Sequence, residues 1–384
     1  MAPRARGVSR LPVSALAWLF VLASLVALDG RAIPVMLPAI AQTFGVLPGQ
    51  AGWSVTSYTL AYGALQLAYG PLSDRYGRLT VVRATTLLFV IGVVLSSVAT
   101  TLTEFVVARL LTGAFAAAMI PTAFAYMGDT VPYARRQMVI GQFGATIAMS
   151  QVLSLTVAGI VTYAVTWRAM FVAIAVLALF PIVLIRHTAT ATPRVAGELL
   201  PYWQIVVRPA ARRVYGAVFA EGFLALGGTT YLAVIAKARY GLNDLEVGLL
   251  LGVYGLGAGA ASLSLRRLAP TLGERWLARA GGVVQLVAWL LVPVSVLRGL
   301  SPVVFAALGL GYVWLHSTLQ TRGTELAPEA RGKAIALFAL ALFLGGAAGT
   351  AAFGRLVDRD LYAALGVVCG VGLAAVGYYV GRRT

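Results

Sequence analysis

Four ionisable residues stand inside apolar stretches of the chain: Asp29, Arg31, Arg109 and Glu221. A charge at the centre of a membrane helix costs about 2.5–3.5 kcal/mol even on insertion scales, so each needs a partner or a use. The four charges sum to zero, which admits two buried ion pairs that merely compensate each other. The functional reading is proton chemistry: a desolvated carboxyl takes up a proton and gives it back when an arginine or a bound solute approaches. Asp29 is the favoured carrier, Arg109 the residue that tunes it, and Glu221 the second candidate. Asp29 and Arg31 cannot satisfy each other, because residues two apart on a helix point to different sides. Each must look across to another helix. For Arg109 the alternative is a place near a helix end from which it snorkels to water.

Polar and aromatic side chains in the same stretches are candidates for a substrate pocket: Tyr58, Tyr62, Gln66, Tyr126, Tyr231, Tyr312, His316 and Gln320. The last three are four apart and share one helix face. For any one of the eight, the competing reading is a polar stripe packed between helices. Motifs of soluble enzymes are missing or accidental. Gly255-Leu-Gly257-Ala-Gly259 mimics a dinucleotide fingerprint, but it lies in an apolar helix where small residues permit close packing. Gly332-Lys333 is followed by Ala334 and lacks the upstream glycine of an ATP-binding loop. Two histidines, His187 and His316, are too few for a histidine-rich metal site, and no cofactor or metal is expected.

The elements that hold these residues follow from composition. Of 384 residues, 60% are hydrophobic and 11% charged, with a mean hydropathy of +0.86. A span needs about 20 apolar residues to cross about 30 Å of hydrocarbon. Apolar runs fall at 13–40, 52–72, 79–100, 105–127, 138–163 and 168–185, then at 214–236, 246–265, 276–297, 302–321, 334–354 and 361–380. The expected fold class is an all-α integral membrane protein with twelve transmembrane helices in two pseudo-symmetric six-helix bundles. Residues 1–185 form the first, 214–384 the second, and 186–213 a polar, basic linker with Pro193, Pro201 and Pro209. The first run is too long for a signal-peptide core and reads as a retained helix. Gly30 and Pro34 in the first helix, and Gly227-Gly228 in the seventh, predict interruptions at matching places near a midplane site.

The net charge of +17 would suit nucleic acid only if the basic residues gathered on a face with stacking aromatics. They follow topology instead. The termini and even-numbered loops carry most of them, whereas the odd-numbered loops carry only Arg168, Lys237, Arg239, Arg298, Arg355 and Arg359. Cytoplasmic loops hold the Lys/Arg excess, so both termini are expected in the cytoplasm. Short loops and the want of a glycosylation sequon point to a bacterial inner membrane. A self-comparison at a shift of 196 residues pairs Gly45 with Gly241, Tyr58 with Tyr254, Gly77 with Gly273 and Arg83 with Arg279. It also pairs Asp129-Thr-Val-Pro132-Tyr-Ala134-Arg135 with Glu325-Leu-Ala-Pro328-Glu-Ala330-Arg331. Two homologous halves of six helices follow.

Between the second and third helices stands Gly70-Pro71-Leu72-Ser73-Asp74-Arg75-Tyr76-Gly77-Arg78. This resembles the signature loop of the major facilitator superfamily, Gly-x-Leu-x-Asp-Arg-x-Gly-Arg, and lies where the family has it. The resemblance implies a latch in which Asp74 clamps the cytoplasmic side against helix 11, with Gly70, Arg75, Gly77, Arg78, Asp129 and Arg135 as its parts. The second-half copy has Pro270 in place of Asp74, so the latch is asymmetric. Leu28-Asp29 with Leu37-Pro38, Arg109-Leu-Leu-Thr-Gly113 and Trp167-Arg168 are similar to elements of the drug:proton antiporter branch. Helix 5 departs from it, with Ser154-Leu155 where that branch has Gly-Pro, which leaves the direction of transport open.

The expected activity is secondary transport by alternating access: proton-coupled efflux of small, partly apolar compounds, with no enzyme chemistry. A dedicated permease for one sugar, amino acid or siderophore is the alternative, and a non-transporting membrane protein on the same fold the third. The partners are a small-molecule substrate, protons and the lipid bilayer, not nucleic acid, and the chain is expected to act as a monomer.

Overall fold

The computed structural model describes residues 13–185 and 201–382. Nine of its helical stretches are long and apolar enough to cross a membrane, among the described residues. One of them, Asp244–Leu291, is two helices meeting at Gly273, where φ is 78°. With Trp53–Tyr76 and Trp167–Ile185 the count reaches twelve. We label them α1 (Val13–Phe44), α2 (Trp53–Tyr76), α3 (Arg78–Val98), α4 (Leu102–Thr130), α5 (Tyr133–Ala164) and α6 (Trp167–Ile185) in the first bundle. The second holds α7 (Pro209–Tyr240), α8 (244–272), α9 (274–291), α10 (Ser301–Glu325), α11 (Arg331–Val357) and α12 (Tyr362–Val380). The α2 helix misses the apolar threshold because Ser54, Thr56, Ser57, Tyr58, Tyr62 and Gln66 interrupt it.

The repeat is written into the backbone. Gly45 ends α1 at φ 63° and Gly241 ends α7 at φ 64°, while Gly77 and Gly273 join α2 to α3 and α8 to α9 at φ 89° and 78°. Each pair matches at the 196-residue shift, and left-handed φ is the conformation that glycine alone adopts freely. Charge pairs at the next residue repeat with exchanged sign: Arg78 meets Asp129, and Glu274 meets Arg322. The second half thus has its own clasp between helices α9 and α10, although Pro270 replaces Asp74.

Several boundaries differ from the sequence reading. The α7 helix starts at Pro209, inside the stretch read as linker, because proline at a first helical position lacks only an N–H that would go unpaired there. Tyr202–Val206 is also helical, and the rest of the linker reading, 186–200, lies outside the described residues. The α1 helix runs unbroken through Gly30, Pro34 and Pro38. It packs along α5 and α6 over this length. The interruption on the α7 side is real but wider, with a turn of i→i+5 hydrogen bonding over Gly222–Leu226 and a non-helical Tyr231.

In the first bundle α1 packs on α5 and α6, α2 on α4, and α3 on α4 and α6. In the second, α10 and α12 pack on the α8–α9 pair and α7 on α11. The bundles meet where α5 faces α8 and α2 faces α11. Small residues make these seams close, as membrane interfaces require in place of a hydrophobic drive. A Cβ on Gly159 would lie 2.5 Å from the Cα of Gly248, and one on Gly255 2.6 Å from Val152. Gly257 packs on the Ala306 carbonyl in the same way, which gives the Gly255–Gly259 run a packing role.

The face that carries the α1–α2, α7–α8 and α11–α12 connections, here the loop face, is shut. Gly49 N–H donates to Asp358 Oδ1 at 2.6 Å, joining the α1–α2 connection to the end of α11. Thr56 Oγ1 donates to the Ala347 carbonyl at 3.4 Å. Burial at this junction raises the Asp358 carboxyl above its ordinary value, and the Gly49 hydrogen bond pulls it partly back. On the opposite, terminal face Tyr202 bridges the bundles, donating to the Leu67 carbonyl at 3.4 Å while the Lys333 ammonium stands 5.1 Å from its ring centre.

Candidate functional site

Asp29 and Arg109 meet across α1 and α4. Both are fully buried, and Arg109 Nη1 and Nη2 donate to Asp29 Oδ1 and Oδ2 at 2.8 Å each. This two-pronged geometry matches the planar guanidinium to the planar carboxylate. The Tyr58 ring covers the guanidinium at 4.6 Å and Phe171 approaches it at 5.2 Å. Two glycines make room for Tyr58: a Cβ on Gly30 would sit 3.2 Å from its hydroxyl, and one on Gly113 2.3 Å from its carbonyl oxygen. Gly113 is the last residue of the Arg109-Leu-Leu-Thr-Gly element, so that spacing serves the pair. Arg109 does not snorkel; it is held by an acid and two rings. Ser154, at the place where helix 5 departs from the antiporter pattern, donates to the Leu28 carbonyl at 2.5 Å and ties α5 beside Asp29.

The second bundle holds a different pair. Glu221 on α7 is fully buried, and its Oε2 lies 2.9 Å from Nδ1 of His316 on α10. The other oxygen, Oε1, is buried without a hydrogen-bond partner. His316 stacks on Tyr312 at 5.1 Å and meets the edge of Phe338 at 5.6 Å. The widened turn begins at Gly222, where a Cβ would lie 2.1 Å from the Leu342 carbonyl. Helix insertions of this kind are frequent at functional sites. In each bundle an acid on the first helix therefore faces a base on the fourth, α1 with α4 and α7 with α10. The bases differ: one is a guanidinium that stays charged, the other an imidazole that can exist neutral or protonated.

Arg31 stands between the two systems. It is half-buried, and its charge acts on Tyr58 in the first bundle and on Tyr254 and Tyr312 in the second, where Glu221 acts as well. Tyr62 stacks on Tyr58 at 6.0 Å and sets its ring edge-on to Phe343 of α11 at 5.0 Å, so this stack touches the opposite bundle. Gln66 lies a turn further along α2 with a buried, unpartnered Oε1. Gln320 is exposed one turn beyond His316.

Two pocket candidates lie elsewhere. Tyr126 is 2% exposed, packed within the first bundle. Tyr231 is fully buried toward the loop face, donating to the Thr350 carbonyl at 2.7 Å and filling the space beside Gly52 and Gly354. Tyr254 lies near Glu221 and Arg31 and is not among the sequence candidates, although the repeat pairs it with Tyr58, the one signal that would have pointed to it. Asp358 carries no sequence signal, because its partner is a backbone N–H.

The signature loop forms a clasp within its own bundle. Asp74 pairs with Arg78, whose guanidinium also donates to Ser73 Oγ at 2.6 Å and to Asp129 Oδ2 at 3.2 Å. Asp74 does not reach α11 in this conformation. In place of the expected latch against helix 11, Asp74 is held by an ion pair one helical turn away. Arg75 covers Tyr76, Arg135 is exposed, and a Cβ on Gly70 would meet nothing within 4 Å.

Twelve helices in two repeats, shut at one face and holding buried ionisable groups between them, define a secondary transporter fold. The family model described as Major Facilitator Superfamily matches residues 19–350, and the chain belongs to that superfamily. Its family and fold are those of transporters, not enzymes. Puromycin resistance protein pur8 of Streptomyces alboniger is 32% identical over 38% of this chain and 29% of its own length. Multidrug resistance protein 3 of Bacillus subtilis is 34% identical over 34% of this chain and 26% of its own. The chain thus matches under a third of the length of these two relatives. An MFS-type transporter of Bacillus subtilis, YceJ, is 25% identical over 84% of this chain and 83% of its own. Among solved structures, a bacterial homologue of the lysosomal transporter Spinster superposes with a TM-score of 0.72 at 15% identity, covering 98% of this chain and 95% of that one. The nucleoside transporter NupG gives 0.78 at 11% identity, covering 94% and 99%.

Proposed function

We propose that the protein exports small, partly apolar compounds in exchange for protons, by rocking of the α1–α6 bundle against the α7–α12 bundle. The observation that carries this reading is the pair of buried acid–base contacts, Asp29 with Arg109 and Glu221 with His316, on equivalent helices of the two halves. Ionisable groups inside a membrane are costly and rare, and they commonly mark ion or substrate pathways. The rings of Tyr58, Tyr62, Tyr254 and Tyr312 offer apolar faces with polar edges, which suits compounds of mixed character. Two relatives named for puromycin and multidrug resistance, and an efflux pump of Gibberella zeae, support export. The terminal face is assigned to the cytoplasm of a bacterial inner membrane by its arginines, and the transporter acts as a monomer.

The test uses purified protein in liposomes that hold a pH-sensitive dye. Cationic, neutral and zwitterionic compounds, with puromycin and ethidium among them, are scanned against an imposed pH gradient. Proton movement that depends on several unrelated compounds supports the proposal. Movement of a single sugar, amino acid or siderophore, with the rest ignored, replaces it with a dedicated permease.

A further inference from the structure

Resting on the proton-coupled reading, the structure assigns the coupling proton to the Glu221–His316 pair, with Asp29–Arg109 remaining ionised through the cycle. The two pairs answer an incoming proton differently. Asp29 has both oxygens engaged by Arg109 in a fully buried site. Neutralising that carboxylate would leave a guanidinium in the core with no counter-charge and with its Nε already unpartnered. Arg109 cannot release a proton in compensation, since guanidinium stays charged in proteins.

Glu221 and His316 lack that constraint. With glutamate ionised and imidazole neutral the pair carries one negative charge; one proton brings it to zero and strands nothing. Neutral His316 donates Nδ1–H to Glu221 Oε2, and the acceptor positions left are Glu221 Oε1, which has no partner, and His316 Nε2. The His316 side chain is 18% exposed while that of Glu221 is fully buried, so the imidazole is the pair's route to water. The surrounding charge and polarity come from Arg31 of α1, Tyr254 of α8 and Tyr312 of α10, all of which interact with this site. From α11 come Phe338 against the imidazole and the Leu342 carbonyl at Gly222, and from α12 Gly372 against Leu224.

The geometry also gives the proton a lever. Glu221 is the last residue before the widened turn Gly222–Leu226, whose backbone packs into Gly345, Gly346 and Gly349 of α11. The same α11 carries Asp358 at the shut loop face and Phe343 against Tyr62 of the first bundle. A change in the attraction between Glu221 and His316 therefore falls on the α7–α10 contact, next to the helix that joins the bundles. Arg31, half-buried and facing the same tyrosines from the other bundle, feels the charge of the pair change from negative to neutral.

The experiment compares wild type with Glu221→Gln and His316→Gln in liposomes, with ethidium and puromycin as probes. Two readouts are taken: probe-driven proton flux, and exchange of labelled probe for unlabelled probe without a pH gradient. The inference expects each variant to lose at least tenfold in proton flux while exchange stays within threefold of wild type. Proton flux that survives in both variants overturns it, as does equal loss of flux and exchange, which would make the pair a substrate contact. Because His316 and His187 are the only histidines, nitrogen-labelled histidine also reports directly on the folded wild-type protein, with His187→Gln assigning the signals. A His316 resonance that does not titrate between pH 5 and pH 9 overturns the assignment even if neither variant folds. Wild-type protein that moves probe with no proton flux at all would instead remove the proton-coupled reading on which the inference rests.

Discussion

Removing one partner of the Asp29–Arg109 pair tests how this membrane core tolerates charge. Asp29→Asn keeps the shape of the side chain but leaves the Arg109 guanidinium buried without its counter-charge, and losses of this kind run to about 3–5 kcal/mol. The Tyr58 ring 4.6 Å from the guanidinium remains and retains up to about 2 kcal/mol of cation–π attraction, so the expected loss lies at the lower end. Arg109→Met strands the Asp29 carboxylate and removes the cation–π contact as well. Its loss should nevertheless be smaller than that of Asp29→Asn, because a stranded carboxyl can take up a proton and become neutral whereas a stranded guanidinium cannot release one. Replacing both, Asp29→Asn with Arg109→Met, strands no charge and should cost less than Asp29→Asn alone by about 2 kcal/mol. The assay is equilibrium unfolding in mixed micelles, read by circular dichroism and fitted as a double-mutant cycle. Single losses that add up to the double loss, with no coupling energy, would refute the pair as the reason these charges persist in the core.

Three further outcomes follow from the loop face and the clasps. Gly49→Val should hold the loop face open, because even a Cβ there would lie 2.2 Å from the Gly354 carbonyl oxygen; labelling of a cysteine introduced at Thr56, buried in the shut form, would rise, and unchanged labelling would count against the closure. The raised Asp358 carboxyl means that closure binds its proton more tightly than the open form does, so closure should be favoured at low pH and weaken as pH rises through the raised value. Asp358→Asn should flatten that dependence in the same labelling assay. Arg78→Glu should be rescued by Asp129→Arg, which copies the sign order of Glu274 and Arg322, though these partly exposed pairs are worth only about 0–1 kcal/mol each in thermal unfolding.

The span pattern, the two halves and the glycine junctions were legible because each rests on local chemistry. Twenty apolar residues in a row have few other fates, and Gly45, Gly77, Gly241 and Gly273 mark places where only glycine turns the chain freely. The buried Asp29, Arg109 and Glu221, and the half-buried Arg31, were legible by their cost. The sequence points to Arg109 as the residue that tunes Asp29, but not to the partner of Glu221, because helix rotation and the small residues between helices decide that pairing. His316 looked like a pocket residue on a polar face and proved to be the partner of Glu221. Tyr231 looked the same and proved to fill the shut loop face. The proline and glycine in α1 weakened the helix on paper, yet it runs continuous, packed along α5 and α6. A latch to helix 11 belongs to a relative position of the bundles, and no local motif shows which position a given structure holds.

The central claim is that solute and proton move in opposite directions through one polar site. Liposomes loaded with puromycin or ethidium, containing the protein and a luminal pH dye, are diluted into probe-free buffer at equal pH and zero membrane potential. Exchange of probe for protons acidifies the lumen as the probe leaves, at a rate that scales with the amount of protein. Alkalinisation of the lumen would show probe and proton leaving together, and probe loss with no pH change would show transport without a proton; either result contradicts the account.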